Sequence, residues 1–120
     1  MQYRQVNFGF SIAGAEAISI YSSLYLKESR LFLTFTDWQE RKIEMHFNDV
    51  LGYQWEGQLN DKQIRDDSCY EVADSEWLQT QAGLQGINNL SEYRHYKLCF
   101  SAWGVLDVLC KKSEFDNEAA

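Results

Sequence analysis

The stretch of residues 93–110 constrains the fold more than any other part of the chain, because apolar side chains recur in it at every second position. This spacing is the period of a β-strand with one buried face. Gly104 interrupts the pattern and supplies a turn, so the stretch predicts a β-hairpin at one edge of the core. The residues expected to face inward are Tyr96, Leu98, Phe100, Leu106 and Val108. The opposite face of the first strand carries His95, Lys97 and Cys99.

The same alternation recurs along the rest of the chain. The short polar segments between the runs are typical of turns between neighbouring antiparallel strands. Together with the hairpin, the runs predict an antiparallel β meander of six or seven strands. The pattern is clear at 17–26, 31–36, 43–47 and 50–55, and weaker at 6–12 and 69–72.

One short helix is expected among the strands, around residues 75–83. Asp74 and Ser75 offer a capping side chain, and Glu76 places an acid in the first turn, where it interacts favourably with the helix dipole. These residues predict the start of the helix. The fold class is therefore α+β, mainly antiparallel β.

A helix at 105–112 is an alternative to the returning strand of the hairpin. Three apolar residues of that stretch also fall on one helical face, so periodicity allows both structures. The three residues are Val105, Val108 and Leu109.

The length of 120 residues suits one domain with a substantial core and leaves no room for a second. The apolar fraction of 45% is that of a compact globule rather than a disordered chain. We therefore expect a single globular domain over residues 1–120. Its polar end, 111–120, is expected to fray.

Charge narrows the classes of partner. Eighteen acidic and eleven basic side chains give a net charge of −7. Such a surface repels nucleic acid and anionic membranes at long range and attracts a basic protein. We therefore expect a protein partner with a basic surface, and neither nucleic-acid nor membrane binding.

The three cysteines, Cys69, Cys99 and Cys110, are an odd number scattered among predicted strands. This pattern suits buried thiols in a reducing compartment better than a disulfide framework. The first residues show no cationic leader, and no window approaches 18 uninterrupted apolar residues. A cytoplasmic protein is the resulting expectation.

The segment 56–76 is strongly acidic, with seven acidic and two basic residues and a local net charge of −5. It is either a surface that steers a basic partner, with aromatic side chains as anchors, or a solvated segment that keeps the protein soluble. Within it, residues 57–68 predict a long surface loop. The candidate partner-binding residues are Asp61, Asp66, Asp67, Tyr70, Glu71, Asp74, Glu76 and Trp77, together with Trp38 at a predicted hairpin tip.

Trp38 has two interpretations of its own. An aromatic side chain at a turn is either an exposed anchor for a partner or a ring that folds back over the sheet, and we favour the second slightly.

Catalytic and metal sites have little support in the sequence. Asp66 and Asp67 lack the Asp-x-Asp-x-Asp-Gly spacing of a calcium loop. Cys69 lies near Asp67 and suggests a thiol nucleophile, but no glycine-rich elbow follows it and free cysteines are usually buried. The chain contains neither a Cys-x-x-Cys pair nor a phosphate-binding glycine loop. We therefore expect no enzymatic activity, no cofactor and no metal.

Two stretches, 66–78 and 95–108, resemble segments of small bacterial cytosolic proteins, some of which are similar to immunity proteins that neutralise a co-produced toxin. The resemblance implies a non-enzymatic protein whose acidic surface blocks a basic nuclease or a similar effector.

Two hypotheses about function follow. The first is a non-enzymatic, immunity-like inhibitor that uses an acidic surface to meet a basic protein. The alternative is a small-ligand or peptide-binding module, in which a curved sheet holds an apolar ligand among tyrosines and tryptophans. An enzyme that uses Cys69 ranks third. The sequence leaves the partner, the oligomeric state and the strand order open.

Overall fold

The structure is a computed structural model that describes residues 2–25, 28–57, 67–100, 104–113 and 117–118. Within these ranges the chain forms one α-helix and nine strands, one of which has only two residues. The helix α1 spans Glu76–Leu84, and a single 3-10 turn at Leu90–Glu92 precedes the seventh strand. The strands are β1 (Gln2–Asn7), β2 (Glu16–Tyr25), β3 (Glu28–Thr36), β4 (Lys42–Asn48), β5 (Gly52–Glu56), β6 (Ser68–Ala73), β7 (Tyr93–Phe100), β8 (Gly104–Lys111) and β9 (Asn117–Glu118).

The strands form two antiparallel sheets. The large sheet has the order β5-β8-β7-β6-β1-β9, and the small sheet has the order β2-β3-β4. The predicted hairpin is β7 and β8, with Phe100 opposite Gly104 and Lys97 opposite Asp107. It lies in the middle of the large sheet and not at an edge of the core, because β5 pairs with the outer side of β8 and β6 with the outer side of β7.

The main core lies between the two sheets. The residues predicted to face inward on the hairpin are confirmed, since each is at most 2% exposed. Burying one such leucine or phenylalanine stabilises a fold by about 1.5–3 kcal/mol. The small sheet contributes Leu31, Leu33, Phe35, Met45 and Phe47 to the same cluster.

The other face of the hairpin is also buried, because α1 packs against it. Leu78 of the helix contacts Tyr93 and Leu109 of the large sheet. The predicted helix start is confirmed, and the Ser75 hydroxyl accepts a hydrogen bond of 3.2 Å from the amide of Leu78. The hairpin is thus covered on both faces and not half-buried as its alternation suggested.

The alternative of a helix at 105–112 is wrong. Residues 104–111 form β8, which pairs with β7 on one side and with β5 on the other. A strand buried on both faces has an almost continuous apolar sequence, and such a run also satisfies a helical stripe. Pairing with two neighbours satisfies its backbone groups and decides between the two structures.

Two further expectations need correction. Among the described residues, eight strands have five or more residues. β5 pairs with β8 at one edge of the large sheet, and β1 lies between β6 and β9, so only the small sheet is a simple meander. The first strand spans Gln2–Asn7 and not 6–12, because the Asn7 side chain accepts the Gly9 amide and Gly9 has a φ of +90°. In the tail for which fraying is predicted, residues 117–118 form β9, which pairs with the end of β1.

A substitution at Gly104 tests the packing of the hairpin against β5. Its φ is +104°, and a Cβ at this position would overlap the carbonyl oxygen of Glu56. Gly104→Ala should therefore lower the free energy of unfolding by about 2 kcal/mol or more, measured by urea denaturation. Gly83→Ala is the control: no atom lies within 4 Å of its added Cβ, so the change should be neutral or stabilise α1 by about 0.5–1 kcal/mol. Equal stabilities for the two variants would contradict this packing.

Candidate functional site

The acidic residues around the start of α1 are the first candidate site. Asp67 precedes β6, Asp74 ends the turn after β6, and Glu76 begins α1. All three side chains are exposed. Two of the predicted partner-binding residues, Asp61 and Asp66, lie outside the described residues. We call Asp67, Asp74 and Glu76 the acidic surface.

Local backbone geometry helps to explain the residue types at this surface. Asp67 has a φ of +61° and Asp74 a φ of +54°, in the left-handed region where asparagine and aspartate are enriched. Glu76 lies in the first turn of α1, where an acid stabilises the helix through its dipole. Each acid therefore also suits its own backbone position.

Glu71 differs from these three because two arginines surround its carboxylate. Arg94 approaches it at 2.9 Å and Arg4 at 3.3 Å, and the Glu71 side chain is 16% exposed. The strand order brings these groups together, since Glu71 is opposite Arg4 in β1 and next to β7. Its charge is largely neutralised within the molecule, which makes it a poor group for steering a partner.

The aromatic candidates also differ from one another, in how much of each side chain is exposed. Tyr70 is only 6% exposed and packs edge-on against Tyr3, with 6.0 Å between ring centroids. Trp77 is half-buried, with its ring edge-on to His95 at 5.4 Å. Trp38 is 62% exposed, so the interpretation that its ring folds back over the sheet is wrong. Trp38 lies in the β3–β4 turn of the small sheet, whereas the acidic surface belongs to the large sheet and α1.

A buried polar network lies directly beneath the acidic surface. The Ser75 Oγ is 2.7 Å from Nδ1 of His95, and Nε2 of His95 is 2.7 Å from an oxygen of Asp107. The Nζ of Lys97 is 3.0 Å from Asp107. Ser75, His95 and Asp107 are each at most 7% exposed. The network joins the start of α1 to both strands of the central hairpin.

The direction of the hydrogen bonds in this network follows from the donors and acceptors available. The Asp107 carboxylate only accepts, so the Nε2–H of His95 donates to it. Ser75 Oγ accepts the Leu78 amide, and with a neutral imidazole ring Nδ1 accepts the Ser75 O–H. Each of these buried groups has a partner within the chain, as a structural network requires.

The order Ser75–His95–Asp107 is also that of a base-activated hydroxyl, and Ser75 lines a cavity of about 470 Å³ with Arg4, Glu71 and Arg94. However, the Ser75 oxygen already caps α1 and the side chain is 5% exposed. The thiol hypothesis has an obstacle of its own, because burial raises the pKa of Cys69, with a smaller contribution from Cys99. An activated thiol needs a lowered pKa.

Sequence reasoning missed the network, although one signal for it was present. Asp107 is a charged residue inside an apolar run, and the hairpin register places it opposite Lys97. A charged residue in such a run is expected to have a buried partner. The contact between His95 and Ser75 depends on where α1 packs, which periodicity does not show.

A second cavity, of about 770 Å³, opens beside the small sheet and the end of β8. Its lining includes Phe8, Phe10, Phe47, Arg30, His46 and Lys111.

Among the residues that the structure describes, no group of three or more His, Cys, Asp or Glu side chains is arranged to hold a metal ion. No described helix is long and apolar enough to cross a membrane.

The Asp107 carboxyl makes the stability of the fold depend on pH. Burial alone would raise its pKa, but the hydrogen bond from His95 and the charge of Lys97 outweigh burial, so its pKa lies below the ordinary value. A lowered pKa in the folded state gives stability that is present above the unfolded pKa of about 3.9 and is lost as the pH falls through the folded pKa.

Asp107→Asn should lower the free energy of unfolding at pH 7 by about 3 kcal/mol, because Lys97 loses its buried counter-charge. Below about pH 4 the variant should also lose stability less steeply than the wild type, measured by urea denaturation at each pH. Asp49→Asn removes a more exposed ion pair with Lys111 and should cost less than about 1 kcal/mol. Parallel pH curves for wild type and Asp107→Asn would contradict the role of Asp107.

Comparison of the chain with protein-family models, with curated proteins and with solved structures gave no match in any of the three. The geometry of the described residues is therefore the basis for inference about function.

Proposed function

We propose that this chain is a non-enzymatic protein-binding domain that uses its acidic surface to meet a basic partner, in the manner of an immunity protein. The supporting observation is the distribution of counter-charges. Basic side chains that form ion pairs do so with acids at other places: Arg4 and Arg94 with Glu71, Lys97 with Asp107. Among the described residues, Arg41 also pairs with Asp37 and Lys111 with Asp49.

The acidic surface has no such neutralisation. Within the described part of the chain, no ion pair involves Asp67, Asp74 or Glu76. The negative charge of these exposed side chains is therefore available to a partner. An uncompensated patch of one sign raises the association rate of an oppositely charged protein by about 10-fold or more at low salt.

The surface also has a rigid support. Ser75 lies between Asp74 and Glu76, and its hydroxyl is bonded both to His95 and to the helix. Residues held on a fixed backbone lose less conformational entropy when a partner binds. Trp77, half-buried on the same helix turn, supplies apolar contact area beside the charges.

The triple variant Asp67→Asn, Asp74→Asn, Glu76→Gln tests the proposal. Asparagine tolerates the left-handed backbone of the first two positions, so the variant should remain folded. A partner is first captured from the source cell at about 50 mM salt and should have a basic surface. The triple variant should then bind it with an association rate constant lowered by about 10-fold, measured by stopped-flow fluorescence, and the loss should shrink at high salt.

The matched control is Glu16→Gln, Glu40→Gln, Glu44→Gln, which changes the net charge equally at three exposed positions of the small sheet. It should leave the association rate close to that of the wild type. Equal losses for both variants would assign the effect to net charge and contradict a specific surface. Co-expression tests the inhibitory role. If the captured protein is toxic, cells that express it alone should fail to grow, whereas cells that express it together with this chain should grow.

A second function is favoured by the 770 Å³ cavity, a volume in the range of small-molecule sites. Its apolar lining includes Phe8, Phe10 and Phe47, and its charged lining has three basic side chains, Arg30, Lys111 and Lys112, against two acidic ones, Glu44 and Asp49. An aromatic ligand with a single negative charge suits this combination. The lining contains none of the tyrosines and tryptophans that the sequence suggested.

Titration with anilinonaphthalene sulfonate tests this second function. A ligand site should give a saturable rise in dye fluorescence with one site per chain, and Phe10→Ser should abolish it. Phe32→Ser, on another face of the small sheet, is the control and should retain the response. Absence of saturation in the wild type would remove this alternative and leave the protein-binding proposal untouched.

A further inference from the structure

We propose that β2 is a dimerisation edge, at which the β2 strands of two copies of this chain pair antiparallel about a two-fold axis at Ser22. The small sheet would then become one six-stranded sheet that runs through both copies. The proposal rests on the sequence, exposure and register of β2.

From Ser19 to Tyr25, the edge at β2 lacks the features that normally protect a sheet edge, because its irregularity and its one charged residue, Glu16, lie before Ser19. Soluble proteins block exposed edges with charged residues, prolines, bulges or very short strands. At the other sheet edges, β5 has five residues and β9 has two, while β4 carries Lys42, Glu44 and His46. In contrast, β2 has ten residues, and none after Glu16 is charged or is glycine or proline.

The edge of β2 is also accessible. Among the residues that the structure describes, β2 pairs only with β3, along one of its two sides. Ser19, Tyr21, Ser22 and Ser23 are exposed, and Tyr21 retains 51% of its surface. Backbone groups on the unpaired side of such a strand are free to form a second ladder.

The register of β2 selects the position of the axis. A bulge or irregularity between Glu16 and Ser19 interrupts its pairing with β3, and from Ser19 to Tyr25 the pairing is continuous. A two-fold axis perpendicular to the sheet places each residue opposite one with the same facing, so it passes through a residue pair and not between pairs. If all residues from Ser19 to Tyr25 pair between the two copies, the axis passes through the central residue of this stretch, Ser22. Ser22 of one copy then lies opposite Ser22 of the other.

The facing of the side chains agrees with this register. Ile20 packs toward the core, whereas Tyr21 lies on the outer face, stacked on Phe32 at 4.8 Å, and Phe32 contacts His46 at 4.6 Å. With the axis at Ser22, Ile20 lies opposite Leu24 of the other copy, and Tyr21 lies opposite Ser23. The two Tyr21 rings are then diagonal neighbours across the axis, at a separation of about 7–8 Å that aromatic side chains can span.

Charge favours a second copy at this edge over a charged partner. The chain carries a net charge of −7, so most contacts between two copies are repulsive, but β2 is neutral after Glu16. In the antiparallel pair the two Glu16 residues lie at opposite ends, about 40 Å apart at 3.4 Å per residue. This separation exceeds the Debye length of about 8 Å at physiological salt, so the two charges are screened from each other.

Sedimentation equilibrium of the wild type from about 1 to 300 µM tests the dimer. The interface is one strand pair, so we expect a weak dimer that forms at the upper concentrations. The average mass should rise toward twice the 14.1 kDa of the monomer. A wild type that remains monomeric throughout this range would overturn the proposal.

Substitutions at Ser22 test the axis. Ser22→Lys and Ser22→Glu each place like charges directly opposite across the axis, at about 5 Å between Cβ atoms, and each should remain monomeric. A 1:1 mixture of the two variants should form the heterodimer. Ser22→Asn is the neutral control and should dimerise like the wild type, with thermal unfolding confirming that all three variants are folded.

Three outcomes would contradict the register. Ser22→Lys alone could dimerise as the wild type does, the mixture of charged variants could remain monomeric, or Gln54→Glu on β5 could weaken the dimer as strongly as Ser22→Glu. The last result would place the interface at the β5 edge of the large sheet instead of at the β2 edge of the small sheet. None of these outcomes depends on the binding of a basic partner, so the proposed function is tested separately.

Discussion

The interaction on which the rest of the structure depends is the burial of the Asp107 carboxylate in the centre of the large sheet. An isolated charge in such a place would cost several kcal/mol, so the fold is stable only if partners meet it. Lys97 comes from the paired strand, and His95 lies two residues earlier on the same face. The second ring nitrogen of His95, Nδ1, then needs a hydrogen-bond partner, and the hydroxyl of Ser75 at the start of α1 is that partner. A charge in one strand thereby fixes the position of the helix.

The same arrangement explains why the small sheet, the large sheet and α1 lie in three successive layers. β7 and β8 occupy the middle of the large sheet, and one face packs against the small sheet through residues such as Leu98 and Leu106. The other face is apolar at its end near Leu109, where Leu78 of α1 packs, and polar at Asp107. Apolar contacts hold the helix against the sheet but are not directional, whereas the hydrogen bonds of Ser75 specify where the helix begins. Both interactions together position the exposed acids on each side of Ser75.

Much of this fold is predictable from local sequence, because strand alternation and a helix cap are local signals. The runs that became β2, β3, β4 and β7 alternate clearly, and Ser75 caps the helix that its neighbours suggest. The failures concern order in space. Nothing local to β5 shows that it pairs with β8, and nothing in the hairpin shows that a helix covers its second face. For the candidate site, the exposed acids were predictable by residue type, but the neutralisation of Glu71 by Arg4 depends on β1 lying beside β6.

Neutralisation also determines which parts of this acidic protein can interact and with what. Where strands bring acids and bases together, as at Glu71 and Asp107, charge is used to hold the fold and has little long-range effect. At Asp67 and Asp74, no base from another described residue forms an ion pair, and the field of these acids extends into solvent. A third type of surface is neutral, and β2 is its main example, because none of its residues after Glu16 carries a charge. Charged turns favour a partner of opposite sign, whereas a neutral strand edge accepts a like-charged copy through backbone hydrogen bonds, which do not depend on the sign of either molecule. A single chain with a large net charge can therefore present two surfaces that do not compete for the same partner.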